Sequence, residues 1–266
     1  PICHAGAVNT IEDINERYNV NENDTALGLS QLYFDLSVYD IFGLLSAGGC
    51  LVYPEKERYM DASYWHELDL FPSIASKNNS VRCISLGGAT EASIWSIYYE
   101  YTGMSEDWKS IPYGKPLANQ TFYVFNDDME ILPVMAEGEL YIGGDGLALG
   151  YLNNPDETHR SFVLDEKSGK RFYKTGDMGR YMPDGNIEFL GRKDTQVKML
   201  GYRIELGEID NVISGLENVE QSVTLVIKHS GDSGKLYSYV QSADSELSEN
   251  ALRLALKKKL PKYMIP

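Results

Sequence analysis

Three cysteines in 266 residues, at positions 3, 50 and 83, are too few and too scattered for a disulfide framework. Their spacing also matches no zinc pattern, so the expectation is a reducing compartment, the cytoplasm. No apolar run approaches the roughly 20 residues of a membrane span, and the N-terminus has no basic-then-apolar leader. A membrane association is therefore not expected. Basic residues are in deficit as well: 24 Lys and Arg stand against 39 Asp and Glu, a formal charge of −15. That balance argues against a broad nucleic-acid surface, though not against one nucleotide held in a locally basic cleft. Internal repeats, low-complexity tracts and coiled-coil heptads are lacking too.

What remains is the composition of an ordinary globular protein, 43% hydrophobic and 24% charged. Its length suits one large or two smaller domains. In "LSVYDIFGLLS" (36–46), Val38, Ile41, Phe42 and Leu45 recur at helical spacing until "AGG" ends the run. "VRCISL" (81–86) reads as a short buried strand emptying into "GGATE". "TFYVFNDDMEIL" (121–132) and "RYMPDGNIEFLG" (180–191) read as hairpins, with "GELYIGG" (138–144) as a further strand. After Asp194 the texture changes. "TQVKM" and "YRIEL" are short strands joined at Gly201, and Leu206, Ile209, Val212, Ile213 and Leu216 mark a helix ending near Gly215. A strand pair around "SGDSG" and a last helix over about 249–260 complete the chain. The fold class is thus mixed α/β: a large β-rich N-terminal core, residues 1–193, and a small α+β unit, residues 194–266. The irregular passage 63–88 is uncommon inside a compact domain.

Four stretches can carry chemistry, each with a plainer reading beside it. Asp35 opens the helical run, where the local pattern favours a carboxylate capping backbone N–H groups. The alternative is a pocket carboxylate that pairs with a ligand ammonium group, with Leu36 and Tyr39 in the pocket wall instead of the core. In "SLGGATEASIWS" a strand ends on Gly87 and Gly88 and then offers Thr90 and Glu91. Glycines let backbone N–H groups approach phosphate oxygens, the hydroxyl can donate, and the carboxylate can hold Mg²⁺. A strand-to-helix turn capped by Thr90 explains the same pattern. Asp177 follows a Thr-Gly turn, where a carboxylate can accept from a ribose diol or simply close the turn. Arg192 and Lys198 flank Asp194 and could serve ribose or phosphate, or be surface charge.

Taken in order, "FDLSVYDIFG", "GGATE", "GELYIGGDGLALGY", "YKTGDMGRY" and "GRKDTQVKMLGYRIELGEID" resemble the motifs of adenylation domains of nonribosomal peptide synthetases, in the adenylate-forming superfamily. The resemblance covers nearly the whole chain. It implies an ATP-dependent, AMP-forming ligase that makes an aminoacyl adenylate and then a thioester on the phosphopantetheine of a peptidyl carrier protein domain. By matching motif positions it implies that Asp35 holds the substrate α-ammonium, Thr90 touches phosphate and Glu91 ligates Mg²⁺. Asp177 would bind the ribose with help from Arg192, Lys198 would lie on the lid hairpin, and Asp194 would be the hinge. Neighbours implied are a condensation or heterocyclisation domain and an MbtH-like accessory protein.

The partial pocket set Asp35, Leu36, Tyr39, Leu86 and Ile94 resembles that of cysteine-activating, ring-forming modules. Serine-activating domains, an aryl- or acyl-acid ligase of the superfamily, and a catalytically dead docking module are the other readings. Against the family pattern, a Ser/Thr/Gly-rich phosphate loop is expected before Pro1, a catalytic lysine after Pro266, and a longer segment near Leu68–Asp69. Gly87 stands where many relatives carry an aromatic residue.

Overall fold

The computed structural model describes residues 1–53, 55, 82–101, 111–193, 196–199, 202–227, 234–242 and 248–266. The expected gap at Leu68–Asp69, the hinge residue Asp194 and the turn glycine Gly201 lie outside the described residues. The chain divides into two compact units, Pro1–Gly191 and Arg192–Pro266. No described helix is long and apolar enough to cross a membrane.

The first unit begins with a helix the sequence patterns did not bring out, His4–Tyr18. Its N-cap is unusual: the Cys3 sulfur accepts from the Gly6 N–H at 3.3 Å. Asn19 ends it in the left-handed conformation, φ 55°. Only Gly6, Thr10, Ile11 and Ile14 are buried along it, so its apolar stripe is too thin to stand out in a periodicity search. A parallel pair follows, β1 (Thr25–Leu27) with β2 (Cys50–Val52).

Between those strands lies the expected helix, but not as expected. Leu36–Val38 and Leu44–Ser46 are α-helical, while Tyr39–Gly43 between them is a π-helical turn. A π turn takes in an extra residue and so rotates the register of everything beyond it. The buried positions become Ser37, Gly43 and Leu44, while Phe42 and Leu45 are 60% and 56% exposed. The apolar face read from simple helical spacing is corrected accordingly.

Two sheets carry the rest of this unit. The strands β3 (Cys83–Gly87), β4 (Ile97–Tyr101) and β5 (Lys115–Pro116) form an antiparallel sheet in chain order. The second sheet contains β6 (Gln120–Phe125), β7 (Gly138–Gly144), β8 (Phe162–Asp165), β9 (Lys170–Tyr181) and β10 (Ile187–Arg192). Its order is β10-β9-β7-β6, with β8 also on β9. The turn expected at Asn126 is present, its side-chain oxygen accepting from the Asp128 and Glu130 N–H groups. Its outgoing arm is a single bridge, Phe125 to Ile131, and the full-length partner of β6 is β7.

One apolar core joins Phe122, Val124, Leu140, Ile142, Tyr173 and Ile187 of the second sheet to Ile97 of the first and Ala92 of the loop between β3 and β4. The loop after β3 is therefore anchored in the same core as the strands of the second sheet.

The second unit matches its sequence pattern closely. The hairpin β11 (Gln196–Met199) and β12 (Tyr202–Glu205) leads into helix Leu206–Ser214, which Gly215 terminates. The antiparallel pair β13 (Val219–Ile227) and β14 (Lys235–Ser242) follows. The last helix, Glu249–Leu256, is shorter than expected and gives way to turns before Pro261. Leu206, Ile209 and Ile213 meet Ile204, Leu236 and Leu256 in a separate core.

The shared core of the first unit makes a direct prediction. Leu140 on β7 is fully buried, and Leu140→Ala should destabilise the protein by about 3 kcal/mol, cavity and transfer effects together. Urea denaturation followed by tyrosine and tryptophan fluorescence would read this as a lower midpoint at unchanged slope.

Candidate functional site

The stretch 87–96 is the closing loop of a β-hairpin, not a strand-to-helix turn. β3 and β4 pair down to Gly87 opposite Ile97, and the Ser96 N–H returns to the Gly87 carbonyl at 2.9 Å. Gly88 sits at φ 131°, and a Cβ there would lie 2.3 Å from the Ser96 hydroxyl oxygen and 2.8 Å from its backbone nitrogen. Only glycine fits that combination of dihedral and space. Ala89 caps a single 3₁₀ turn, Thr90–Ala92. Two consecutive non-glycine residues then adopt positive φ, Ser93 at 60° and Ile94 at 56°. For a β-branched side chain that costs on the order of 1–3 kcal/mol.

Four surrounding elements hold the loop in this strained shape. The Thr10 hydroxyl, on the first helix, lies within hydrogen-bonding distance of the Ser93 and Trp95 carbonyls. The Ser93 hydroxyl donates to the Gly146 carbonyl at 2.8 Å, and the Gln120 amide reaches the Ala92 carbonyl. The Leu117 N–H donates to the Ser96 carbonyl, and the Ala148 N–H to the Glu91 carbonyl. Ala92, Ser93 and Ser96 are completely buried.

This support presents the two chemically capable side chains of the loop. The Thr90 hydroxyl donates to Asp35 Oδ2 at 2.6 Å, across 55 residues of sequence. That overturns both capping readings. Asp35 has helical dihedrals, φ −61° and ψ −28°, and makes no cap bond, because a residue already turning with the helix cannot swing its carboxylate over the N–H groups ahead. The Glu91 carboxylate accepts from the Tyr151 hydroxyl at 2.7 Å. Burial first, and then the bond to Glu91, push the Tyr151 phenol well above its ordinary pKa. It is therefore a permanent donor.

The other expected residues lie nearby in sequence or on the second sheet. Leu36 and Leu86 are half-buried, and Ile94 is buried. The Tyr39 hydroxyl donates to Asn15 Oδ1 at 2.9 Å and its ring leans on Trp95, with centroids 5.0 Å apart. Burial, with Asp24 and Asp40 nearby, pushes its pKa up to about 12. Asp177 sits on β9 and is 6% exposed. The pairing of β9 with β7 jumps from Tyr141–Lys174 to Glu139–Met178, leaving Thr175, Gly176 and Asp177 as a bulge. Thr175 pins it, donating to the Leu140 carbonyl and accepting from the Asp177 N–H. What reads as a turn in the sequence is thus a bulge within one long strand, a device that re-aims a side chain.

Arg192 ends β10 and belongs to the second unit. Lys198 lies on β11 opposite Arg203 in the hairpin register. A cavity of about 800 Å³ occurs in the second unit, lined in part by Leu236, Val240, Leu252, Leu256 and Tyr263. None of the candidate residues lines it, so its size alone does not make it the functional site. Tyr151 was given no role in the sequence reading, although the third quoted motif ends on it. Nothing local signals a partner 60 residues away.

The comparisons add independent information. A family model described as AMP-binding enzyme matches residues 70–152. The chain is 43% identical over 309 aligned residues to Bacitracin synthase 1 of Bacillus licheniformis, covering all of this chain and 6% of that protein. It is 39% identical over 272 residues to Pyochelin synthetase PchF of Pseudomonas aeruginosa, covering 85% of this chain and 15% of the relative. Among solved structures, the Vibrio cholerae adenylation domain AlmE in complex with glycyl-adenosine-5'-phosphate superposes with a TM-score of 0.85 at 23% identity, over 100% of this chain and 59% of that one. The chain thus spans a small part of the curated relatives it matches.

The loop itself supplies a test. Gly88→Ala should lower stability by about 2 kcal/mol or more, since dihedral strain and the Ser96 clash act together. An unchanged unfolding midpoint for this variant would contradict the loop geometry.

Proposed function

Because the chain belongs to the adenylation domains of nonribosomal peptide synthetases, within the AMP-binding enzymes, we propose that it activates an amino acid with ATP. A carboxylate oxygen of the amino acid attacks the α-phosphorus, the bond to the bridging oxygen breaks, and pyrophosphate leaves. The thiol of a carrier-domain phosphopantetheine then attacks the acyl carbon, loses its proton, and releases AMP as the thioester forms. Catalysis of the first step is mainly placement and charge neutralisation.

The observation that carries this reading is the 2.6 Å bond between Thr90 and Asp35. It brings a carboxylate that can pair with an ammonium group beside a hydroxyl that can reach phosphate, and this juxtaposition supports the reading of an amino acid attacking a nucleotide. In this reading the single Thr90 proton turns from Asp35 to a phosphate oxygen when ATP binds, and the α-ammonium takes its place on the Asp35 carboxylate. Asp177, aimed by its bulge, accepts from the ribose hydroxyls, and Arg192 and Lys198 add positive charge near ribose or phosphate. Gly87 and Gly88 let backbone N–H groups approach phosphate oxygens.

Among the described residues no three His, Cys, Asp or Glu side chains converge. Glu91 alone is the kind of ligand that suits Mg²⁺, which binds through one or two carboxylates together with substrate phosphates. When bound, the ion neutralises charge on the phosphates. Residues 1–193 form the adenylation core in this reading, and residues 194–266 turn about Asp194 between the two half-reactions. The three cysteines are free, in keeping with a reducing cytoplasm. A condensation or heterocyclisation domain and an MbtH-like protein are the expected neighbours.

For the substrate we propose L-cysteine. The partial set Asp35, Leu36, Tyr39, Leu86 and Ile94 resembles that of cysteine-activating modules, and a small, mostly apolar pocket suits a short thiol side chain. ATP–pyrophosphate exchange by the full-length protein should be highest with L-cysteine; equal exchange with leucine or phenylalanine would end the cysteine reading.

Asp35→Ala should lower kcat/KM for the amino acid by roughly 10- to 100-fold, the effect of losing a charged hydrogen-bond partner, with little change in KM for ATP. Unchanged amino-acid activation would instead favour an acid substrate without an α-amino group.

A further inference from the structure

Glu91 is held at two points by one segment, the chain leaving β7. Its backbone carbonyl accepts from the Ala148 N–H at 2.8 Å, and its side chain accepts from the Tyr151 hydroxyl at 2.7 Å. That segment is itself braced. The Arg171 guanidinium donates to the Ala148 carbonyl at 2.6 Å and the Leu149 carbonyl at 2.9 Å, with its Cζ 4.3 Å from the Phe162 ring centroid. The Tyr151 N–H donates to the Thr158 hydroxyl, and its ring packs edge-on against Phe162 at 5.8 Å.

The phenol is thus fixed in place by its ring and backbone, and its hydroxyl meets the Glu91 carboxylate, with the Tyr173 hydroxyl as a further hydrogen-bonding neighbour. Loop attachment does not require that hydroxyl, because the Ala148–Glu91 backbone bond already joins the two segments. What the hydroxyl adds is orientation of the carboxylate plane.

We propose that Tyr151 is a positioning residue for the Mg²⁺ site: its hydroxyl orients the Glu91 carboxylate toward the cation that accompanies the nucleotide phosphates. The inference rests on the reading of Glu91 as the metal ligand. A hydrogen bond from a second residue to a ligating carboxylate commonly sets metal affinity.

The test is Mn²⁺ binding to the full-length protein with a non-hydrolysable ATP analogue, followed by electron paramagnetic resonance. Tyr151→Phe keeps the ring and its packing and removes only the hydroxyl. It should weaken Mn²⁺ binding about tenfold, with the thermal midpoint nearly unchanged and KM for the amino acid unaffected. Glu91→Gln should weaken Mn²⁺ at least as much, and the double variant should be no weaker than Glu91→Gln alone. If Glu91→Gln weakens Mn²⁺ while Tyr151→Phe stays within about twofold of wild type, the positioning role is overturned and the ligand role of Glu91 stands. An equal further loss on adding Tyr151→Phe to Glu91→Gln also overturns it, since the phenol would then act by another route. If Glu91→Gln itself has no effect, the metal reading of Glu91 fails and takes this inference with it.

Discussion

The positive-φ pair Ser93–Ile94 is the constraint on which the site depends. A β-branched residue adopts that conformation only when its surroundings leave no alternative. Here the alternatives are closed by polar ties from Thr10 and to Gly146, and by complete burial of Ala92 and Ser93. Local strain is thereby offset by tertiary hydrogen bonds and by an apolar core that the two sheets of the unit share. The outcome is a short loop whose Thr90 and Glu91 are held from below while their side chains meet Asp35 and Tyr151.

The same logic recurs on β9. A strand in regular register would point residue 177 by simple alternation. The Thr175–Asp177 bulge breaks that alternation, and the Thr175 hydroxyl bonded to the Leu140 carbonyl keeps it broken. In both places a backbone irregularity aims a carboxylate, and a buried hydroxyl stabilises the irregularity. Each buried hydroxyl satisfies backbone groups that the departure from regular pairing would otherwise leave unpaired, which is why such departures can persist inside a packed unit.

Legibility in the sequence followed the range of the interactions involved. Strands β3, β6 and β7 and the whole succession of elements from β11 to β14 were readable, because alternation, turn residues and the Leu206–Ile209–Ile213 stripe are local signals. Helix His4–Tyr18 was missed because its buried stripe is thin and is capped by a cysteine sulfur. The π turn at Tyr39–Gly43 was missed because nothing in a 3.6-residue period announces an extra residue. Asp35 was favoured as a cap because capping is the commonest local use of an aspartate before a helix; its real partner is 55 residues away.

The sequence alone determined the succession of elements in the second unit, the order of the five motifs and, through them, the family. These are properties of residue type and spacing, and they hold however the chain closes on itself. Only the tertiary structure decided what each motif residue touches: Thr90 on Asp35, Tyr151 on Glu91, Thr175 beneath Asp177. Two of those bonds span 55 and 60 residues. The third depends on where β9 slips against β7. Contacts of that kind exist only after distant segments have been brought into one core, and short-range patterns carry no information about them.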